Sequence, residues 1–369
     1  MNRSSNALTQ LALQKFKKNF WGVLSLSVII IFGLIALFAY ALAPDNSKNA
    51  NQMHLSIHSK KPGFEVNMLT IPSSETTQHT FFEKLFLGIQ NSNSELPISN
   101  YRVENNKLFV NEYTNEGAIG LEKEISLKNY EEGLSIDEII EQNISTRKFL
   151  LGTDKYGRDL LSRMLVGSRI SFSIGFIAVI ISLLIGVFLG AISGYFGGKI
   201  DAFIMWIVNI TWSIPTLLLV IAITLALGKG FWQVFIAVGL TMWVEVARIV
   251  RGQVMSVKEM QYVTASRALG YTNSRIIFKH ILPNIIAPVI VISAANFAAA
   301  ILIESGLSFL GIGAQPPTPS WGSMIKDHYS YIILGKPFLA IIPGIAIMIL
   351  VMAFMLMGNA LRDALDVKG

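Results

Sequence analysis

The chain has 369 residues, of which 52% are hydrophobic and only 15% charged, and its mean hydropathy of +0.51 suits lipid rather than water. It contains no cysteine, which excludes a disulfide framework, a thiolate metal site and a cysteine nucleophile. The net charge of +6 does not indicate a nucleic-acid partner, because the basic residues follow the membrane segments and form no duplex-binding face.

A hydrocarbon core of about 30 Å needs roughly 20 apolar residues in helical form. Stretches 20–43, 170–193, 203–227, 231–250, 285–310 and 338–359 meet that requirement and predict a six-span, all-α integral membrane protein. Residues 1–19 carry Arg3, Lys15, Lys17 and Lys18, so the positive-inside rule places this segment in the cytoplasm and makes 20–43 the first transmembrane helix. Ala41-Leu42-Ala43 looks like a signal-peptidase site. However, the apolar run exceeds a usual signal core and Pro44 would follow the cut, so an uncleaved helix is expected.

Segment 44–150 is polar and holds 15 Asp+Glu against 10 Lys+Arg, a net of −5 that leaves +11 on the rest of the chain. After one crossing it is expected outside the cytoplasm. "YRVENNKLFVNEY" predicts a hairpin turning at Asn105-Asn106, and Ser135 with Glu138 predicts a capped helix start. A small α+β insertion is the expectation, with a poorly ordered loop as the alternative given the Asn/Ser-rich stretches 45–59 and 90–100.

Segment 151–369 is expected to be the core membrane domain with the remaining five spans. Arg158 and Asp159 are expected to hold an outer-side turn together. Gly186, Gly190 and Gly194 have the small-xxx-small spacing that lets helix backbones approach, although glycine is common in membrane helices in any case. Asn209, Trp212, Ser213 and Pro215 form a polar, kink-prone stretch inside the third span. It suits either the lining of a translocation path or a kink used only for packing. Glu304 is an ionisable group in a span and should face protein or water, as a path residue or as a pairing partner between subunits. The connections near Gly228 and Gly335 carry only Lys229 and Lys336, whereas 251–284 carries Arg251, Lys258, Arg267, Arg275 and Lys279 and is expected on the cytoplasmic side with both termini.

Within 251–284 the residues predict one short helix over about 256–269, a left-handed cap at Gly270, and a second helix from about Thr272 that stops near Pro283. Tyr262, Ala265, Ser266 and Leu269 fall at i, i+3, i+4 and i+7, a face on which another protein could seat closely. A helix resting on anionic lipid through Arg267, Arg275 and Lys279 fits the same residues. No catalytic signature accompanies the loop: "GYFGGKID" lacks phosphate-loop spacing, and the five histidines stand too far apart for a metal motif.

The loop resembles the cytoplasmic loop of permease subunits of binding-protein-dependent ABC importers, which reads E-A-A, three residues, G, nine residues, I-x-L-P. Ala265, Gly270, Leu282 and Pro283 match; Thr264 replaces the Glu, Ser266 the second Ala and His280 the Ile. "GTDKYGRDLLSRMLVGSR" at 152–169, "SFLGIGAQPPTPSWGSMI" at 308–325 and "HILPN" are similar to the second permease of the dipeptide/oligopeptide/nickel group. The resemblance covers 147–369 closely, 1–43 loosely and the insertion not at all.

The resemblance implies an ABC importer type I-like permease fold and a coupling helix seated in a cytoplasmic ATPase, with Tyr262, Ala265, Ser266, Arg267, Leu269, Gly270, His280 and Pro283 in the loop. It also implies a second homologous permease, two ABC ATPases that bind ATP and Mg in place of this chain, an extracytoplasmic solute-binding protein, and a multi-pass location in the inner (cytoplasmic) membrane. The chain itself would then be non-catalytic and hold no cofactor. Peptide, nickel chelate and glutathione all remain open as solutes. A gradient-driven secondary transporter would instead show paired mid-membrane charges and broken helices in two repeated halves. A membrane-anchored receptor would act through 44–150 alone.

Overall fold

The structure is a computed structural model that describes residues 2–72, 80–89, 93–105, 107–114, 120–127, 130, 134–228 and 230–365. In chain order the helices are α1 (Asn2–Lys18), α2 (Phe20–Leu37), α3 (Ala39–Leu42), α4 (Phe81–Phe86), α5 (Ile136–Asn143), α6 (Leu160–Phe196), α7 (Gly198–Ser213), α8 (Thr216–Leu227), α9 (Phe231–Lys258), α10 (Gln261–Ala268), α11 (Asn273–Ile276), α12 (Ile286–Phe309), α13 (Trp321–His328) and α14 (Phe338–Leu365). The strands are β1 (Phe64–Ile71), β2 (Ser94–Glu104), β3 (Lys107–Glu112), β4 (Glu122–Ile125) and β5 (Ile144–Phe149). The chain divides into two compact units, residues 1–33, 170–315 and 344–369, and residues 34–169 and 316–343.

In the first unit, α2, α6, α9, α12 and α14 are each long and apolar enough to cross a membrane. The expected third span, 203–227, is not one helix. It breaks at Ser213, Ile214 and Pro215 into α7 and α8, which lie at 94° to each other. Pro215 has no N–H to continue the ladder and forces the preceding residue out of the helical region, and Ile214 is extended at φ −91°, ψ 128°.

Together the bent pair is apolar and long enough to count as one broken span, and both of its ends are tied to α9. At the start of α7, Asp201 accepts two hydrogen bonds from Arg251, near the end of α9, both at 2.6 Å. At the other end, three residues join Leu227 to Phe231, where α9 begins. Phe231 and Arg251 are 20 residues apart on α9, so these two anchor points lie about 30 Å apart, the thickness of a hydrocarbon core. Apolar packing follows the same path: Ile204 and Val208 pack with Trp243, Val244 and Ala247, and Val220 with Val234, Phe235 and Val238.

The α6–α9 contact rests on the three glycines of the small-residue stripe. A Cβ on Gly186, Gly190 or Gly194 would stand 2.7, 2.5 or 2.7 Å from the carbonyl oxygens of Trp243, Ala247 and Arg251. Only glycine lets the two backbones come this close, which van der Waals packing in lipid rewards.

In the second unit, the strands form an antiparallel sheet in the order β4-β3-β2-β1-β5. Alternation along β1 sends Val66 and Met68 to one face, with Ile57 and Phe149, and Leu69 to the other, with Ile98, Leu108, Val110, Ile125 and Ile139 of α5. The β2–β3 hairpin turns at Asn105, which takes φ +50°, while Asn106 and the connection residue Lys229 lie outside the described residues. The α5 start carries the expected box: Ser135 Oγ accepts the Glu138 N–H, and the Glu138 carboxylate accepts the Ser135 N–H at 2.7 Å.

This unit extends beyond residue 150, where the insertion was expected to end. Asp154, buried completely, accepts the Arg158 guanidinium at 2.6 Å, and Arg158 reaches back to Asn51 at 2.9 Å. Asp159 does not pair with Arg158; its carboxylate instead takes the N–H of Ser162 at 2.9 Å and so caps the first turn of α6. The Trp321 indole of α13 donates to the Met164 carbonyl at 3.0 Å. The "GTDKYGRD" stretch is therefore internal scaffolding of this unit.

Candidate coupling loop and translocation surface

The loop between α9 and α12 is built on a buried stripe. Val250 and Val254 of α9 face a cluster with Val263, Ile276, Ile277, Ile281 and Ile285, together with Ala191 and Tyr195 of α6. Val254 and Val263 stand about two and a half turns apart on a continuous helix, so an unbroken helix would put them on opposite sides. This explains why the expected helix over 256–269 is not single: α9 continues to Lys258, the chain turns at Glu259-Met260, and α10 begins at Gln261 with Val263 facing inward.

α10 ends in a Schellman cap. Gly270 N–H donates to the Arg267 carbonyl at 2.9 Å and Tyr271 N–H to that of Ser266 at 3.2 Å, with Gly270 at φ +75°. The second helix is shorter than expected. α11 gives way at Ile277–Ile281 to a wider turn and at Leu282–Asn284 to a tighter one, because Pro283 can neither donate to the ladder nor fit its ring against the preceding turn. Side chains brace the unit: Tyr195 Oη donates to Asn273 Oδ1 at 2.8 Å, the Arg275 guanidinium lies 4.1 Å over the Tyr271 ring, and the His280 ring stacks with it at 5.8 Å.

Tyr262, Ala265 and Leu269 point outward, as does Arg267, whose guanidinium also reaches to 5.3 Å over Tyr195. Ser266 corrects the expected outward face. It is buried beside Val263, its hydroxyl donating back to the Tyr262 carbonyl at 2.8 Å, and so it belongs to the side that anchors α10. Burial of part of the Tyr262 ring pushes its phenol pKa up, so the side chain is a neutral hydrogen-bonding group at physiological pH. Pro283 is exposed and His280 half-buried.

At the α7–α8 break, Ser213 Oγ donates to the Ile210 carbonyl at 2.7 Å. Asn209 and Trp212 meet through a residue that the sequence argument had passed over. The Arg248 guanidinium of α9 lies 3.5 Å over the Trp212 ring and donates to Asn209 Oδ1 at 3.3 Å. Trp212 and Asn209 are exposed, as are Glu245, Gly252 and Gln253 along the same side of α9 as Arg248. A span whose outward stripe reads Glu, Arg, Gly, Gln is unsuited to lipid and suited to water or to another polar chain. Gln253 and Arg362 also line a cavity of about 630 Å³ with Ala287, Pro288 and Val291 of α12. The signal was present in the sequence, because Glu245 and Arg248 lie inside the 231–250 stretch.

Glu304 does not join this surface. It is 1% exposed, accepts the Ser308 hydroxyl at 2.7 Å, and Ser308 Oγ in turn accepts the Ala314 N–H at 3.2 Å. Glu304 therefore ties the end of α12 to the turn that follows, inside this chain, and is neither on an open path nor at an inter-subunit face.

The chain is thus an integral membrane protein with an anchored, capped loop helix and a polar stripe on an otherwise apolar span, features that a membrane transport subunit needs. Residues 186–368 match the family described as the binding-protein-dependent transport system inner membrane component, and residues 7–62 match the N-terminal TM domain of oligopeptide transport permease C. The dipeptide transport system permease protein DppC of Alkalihalophilus pseudofirmus and the oligopeptide transport system permease protein OppC of Bacillus subtilis are each 43% identical over 217 residues, covering 59% of this chain and 71% of theirs. The glutathione transport system permease protein GsiD of Pectobacterium atrosepticum is 39% identical over 218 residues, 59% of this chain and 72% of its own. The chain belongs to the family of binding-protein-dependent inner membrane components, as a permease subunit of an ABC importer.

Proposed function

We propose that this chain forms half of the translocation path for short peptides or a chemically related solute, the other half coming from a second homologous permease. Two ABC ATPases bind ATP and Mg and engage α10, and an extracytoplasmic solute-binding protein delivers the solute. Both termini and the 251–284 loop face the cytoplasm, the 44–150 insertion faces the other side, and 151–369 carries the core of the path. The peptide assignment draws on the named transport systems of the relatives.

The observation that carries this reading is the asymmetry of α10. One side is locked through Val263 to α6 and α9, and the other presents Ala265, Leu269 and the outer part of Tyr262 exposed. A helix held this way transmits a push on its outer side to the spans beneath, which is the bistable coupling that alternating access needs. Asn209, Trp212, Ser213 and Pro215, joined by Arg248, lie on the polar stripe and are the proposed path surface.

Replacing Gly270 by Val tests the coupling. The left-handed φ of +75° would strain a β-branched residue by about 1–3 kcal/mol and swing the end of α10. Purified in mild detergent, the G270V protein should retain the second permease and lose the ATPases, with uptake abolished. Full ATPase recovery and normal uptake would refute the assignment of α10.

A further inference from the structure

We propose that α4 is an interfacial anchor, lying in the headgroup boundary of the bilayer on the insertion's side with Phe81 and Phe82 inserted among the lipids. Its place in the fold sets its level. α4 packs on α3, the short helix that continues apolar α2 past Leu37. Gly88, just after α4, approaches Tyr40 of α3 so closely that a Cβ there would stand 2.8 Å from the ring. From the other direction, Arg169 donates to the Phe86 carbonyl at 2.7 Å while its guanidinium lies 4.8 Å over the Tyr40 ring. Arg169 is the last charge before the apolar run of α6, and none follows until Lys199. α4 is thus tied where one apolar helix leaves the hydrocarbon and another enters it, which is the headgroup level.

Its sequence fits that level. In "FFEKLF" the helical period puts Phe81, Phe82, Leu85 and Phe86 on one arc, with Glu83 and Lys84 on the other. Leu85 and Phe86 are half-buried, whereas Phe81 and Phe82 are 73% and 71% exposed. The Thr80 N–H, which donates to Glu83 at 2.9 Å, holds the first turn in place. Leu37, Phe38 and Leu42, at the end of α2 and in the α3 segment on which α4 packs, are exposed as well, so α4 stands among exposed apolar residues at the end of a membrane helix. That setting makes lipid the occupant, since amphipathic helices with Phe and Leu on one face settle at this boundary.

The absence of cysteine gives a clean test. F81C, F82C, K84C and Y101C proteins, the last on the exposed side of β2, are spin-labelled singly in the full chain with its co-purifying subunits. They are reconstituted in nanodiscs of phosphatidylcholine and phosphatidylglycerol, and exposure to oxygen and to a water-soluble nickel chelate is read by power saturation. Labels at 81 and 82 should be open to oxygen and shielded from nickel, at a depth of about 5–10 Å. Those at 84 and 101 should read as aqueous. Nickel exposure at 81 and 82 equal to that at 101 would overturn the proposal, as would shielding from both reagents, which would mean that protein covers the helix. F81C and F82C are independent variants at open positions, and unchanged elution of each labelled protein checks that the fold survives.

Discussion

His328 ties α13 to the start of "GTDKYGRD" as a neutral ring: Nδ1–H donates to the Met324 carbonyl at 2.7 Å and Nε2 accepts the Lys155 N–H at 3.4 Å. Burial holds its pKa below 6.5, and His54, buried near Glu95 and Arg147, is lowered by the same desolvation. Above about 6.5 these rings are neutral both folded and unfolded. Below it the unfolded chain takes the protons first, so stability should fall as pH drops from 6.5 towards the folded pKa, by about 1.4 kcal/mol per unit of depression. Melting temperatures followed by tryptophan fluorescence should be level from about pH 8 to 7 and decline below, and H328Q should flatten part of that slope. A slope unchanged in H328Q would mean that other groups carry the proton uptake. Arg248 shows why residue-scale roles are only partly legible. Its charge inside an apolar stretch was visible, but its partners Asn209 and Trp212 became neighbours only through the folding of α7 against α9.

Elements were legible where local rules fix them and not where packing does. Hydropathy marked the spans, Ser135 with Glu138 marked α5, and Gly270 marked the end of α10, because each signal lies within a few residues of its effect. The 94° bend at Pro215 was not readable, since proline breaks the ladder but the angle comes from α8 packing on α9. The sheet order has the same limit: β5 pairs with β1 across most of the insertion, and no local pattern announces it. The glycine stripe carries a prediction at this scale. Its spacing fitted either packing or mere enrichment, and the Cβ distances of 2.5–2.7 Å to α9 carbonyls decide for packing. G190A should overpack the α6–α9 seam and cost about 1–3 kcal/mol, and G190L more. Since α10 and Tyr195 rest on that seam, amide exchange across 261–284 should speed up in G190L and much less in an exposed control such as L184A. Equal exchange in the two would show that the loop is anchored without the close approach.

At the scale of the whole molecule the decisive quantity is the number of crossings between the insertion and the α10 loop. If α6, the bent α7–α8 pair and α9 all cross, the count is odd and the two segments lie on opposite sides of the membrane. If the pair dips in and returns, the count is even and they lie on the same side. Neither half spans alone, since 16 and 12 residues give about 24 and 18 Å against a core of about 30 Å. Crossing therefore depends on the two pins, Asp201 on Arg251 at one end and the short link into Phe231 at the other. Charge agrees with an odd count, because the 251–284 loop carries Arg251, Lys258, Arg267, Arg275 and Lys279 whereas the connections near Gly228 and Gly335 carry one lysine each. The cysteine-free chain again allows a direct measurement, with K123C on β4 and K279C in the loop exposed to a membrane-impermeant maleimide. K123C should label in intact cells once any outer barrier is removed, and K279C only after the membrane is opened. Labelling of both from outside would make α7–α8 re-entrant, and the Asp201–Arg251 pair would then have to hold the two ends of a hairpin instead of the cytoplasmic end of a span.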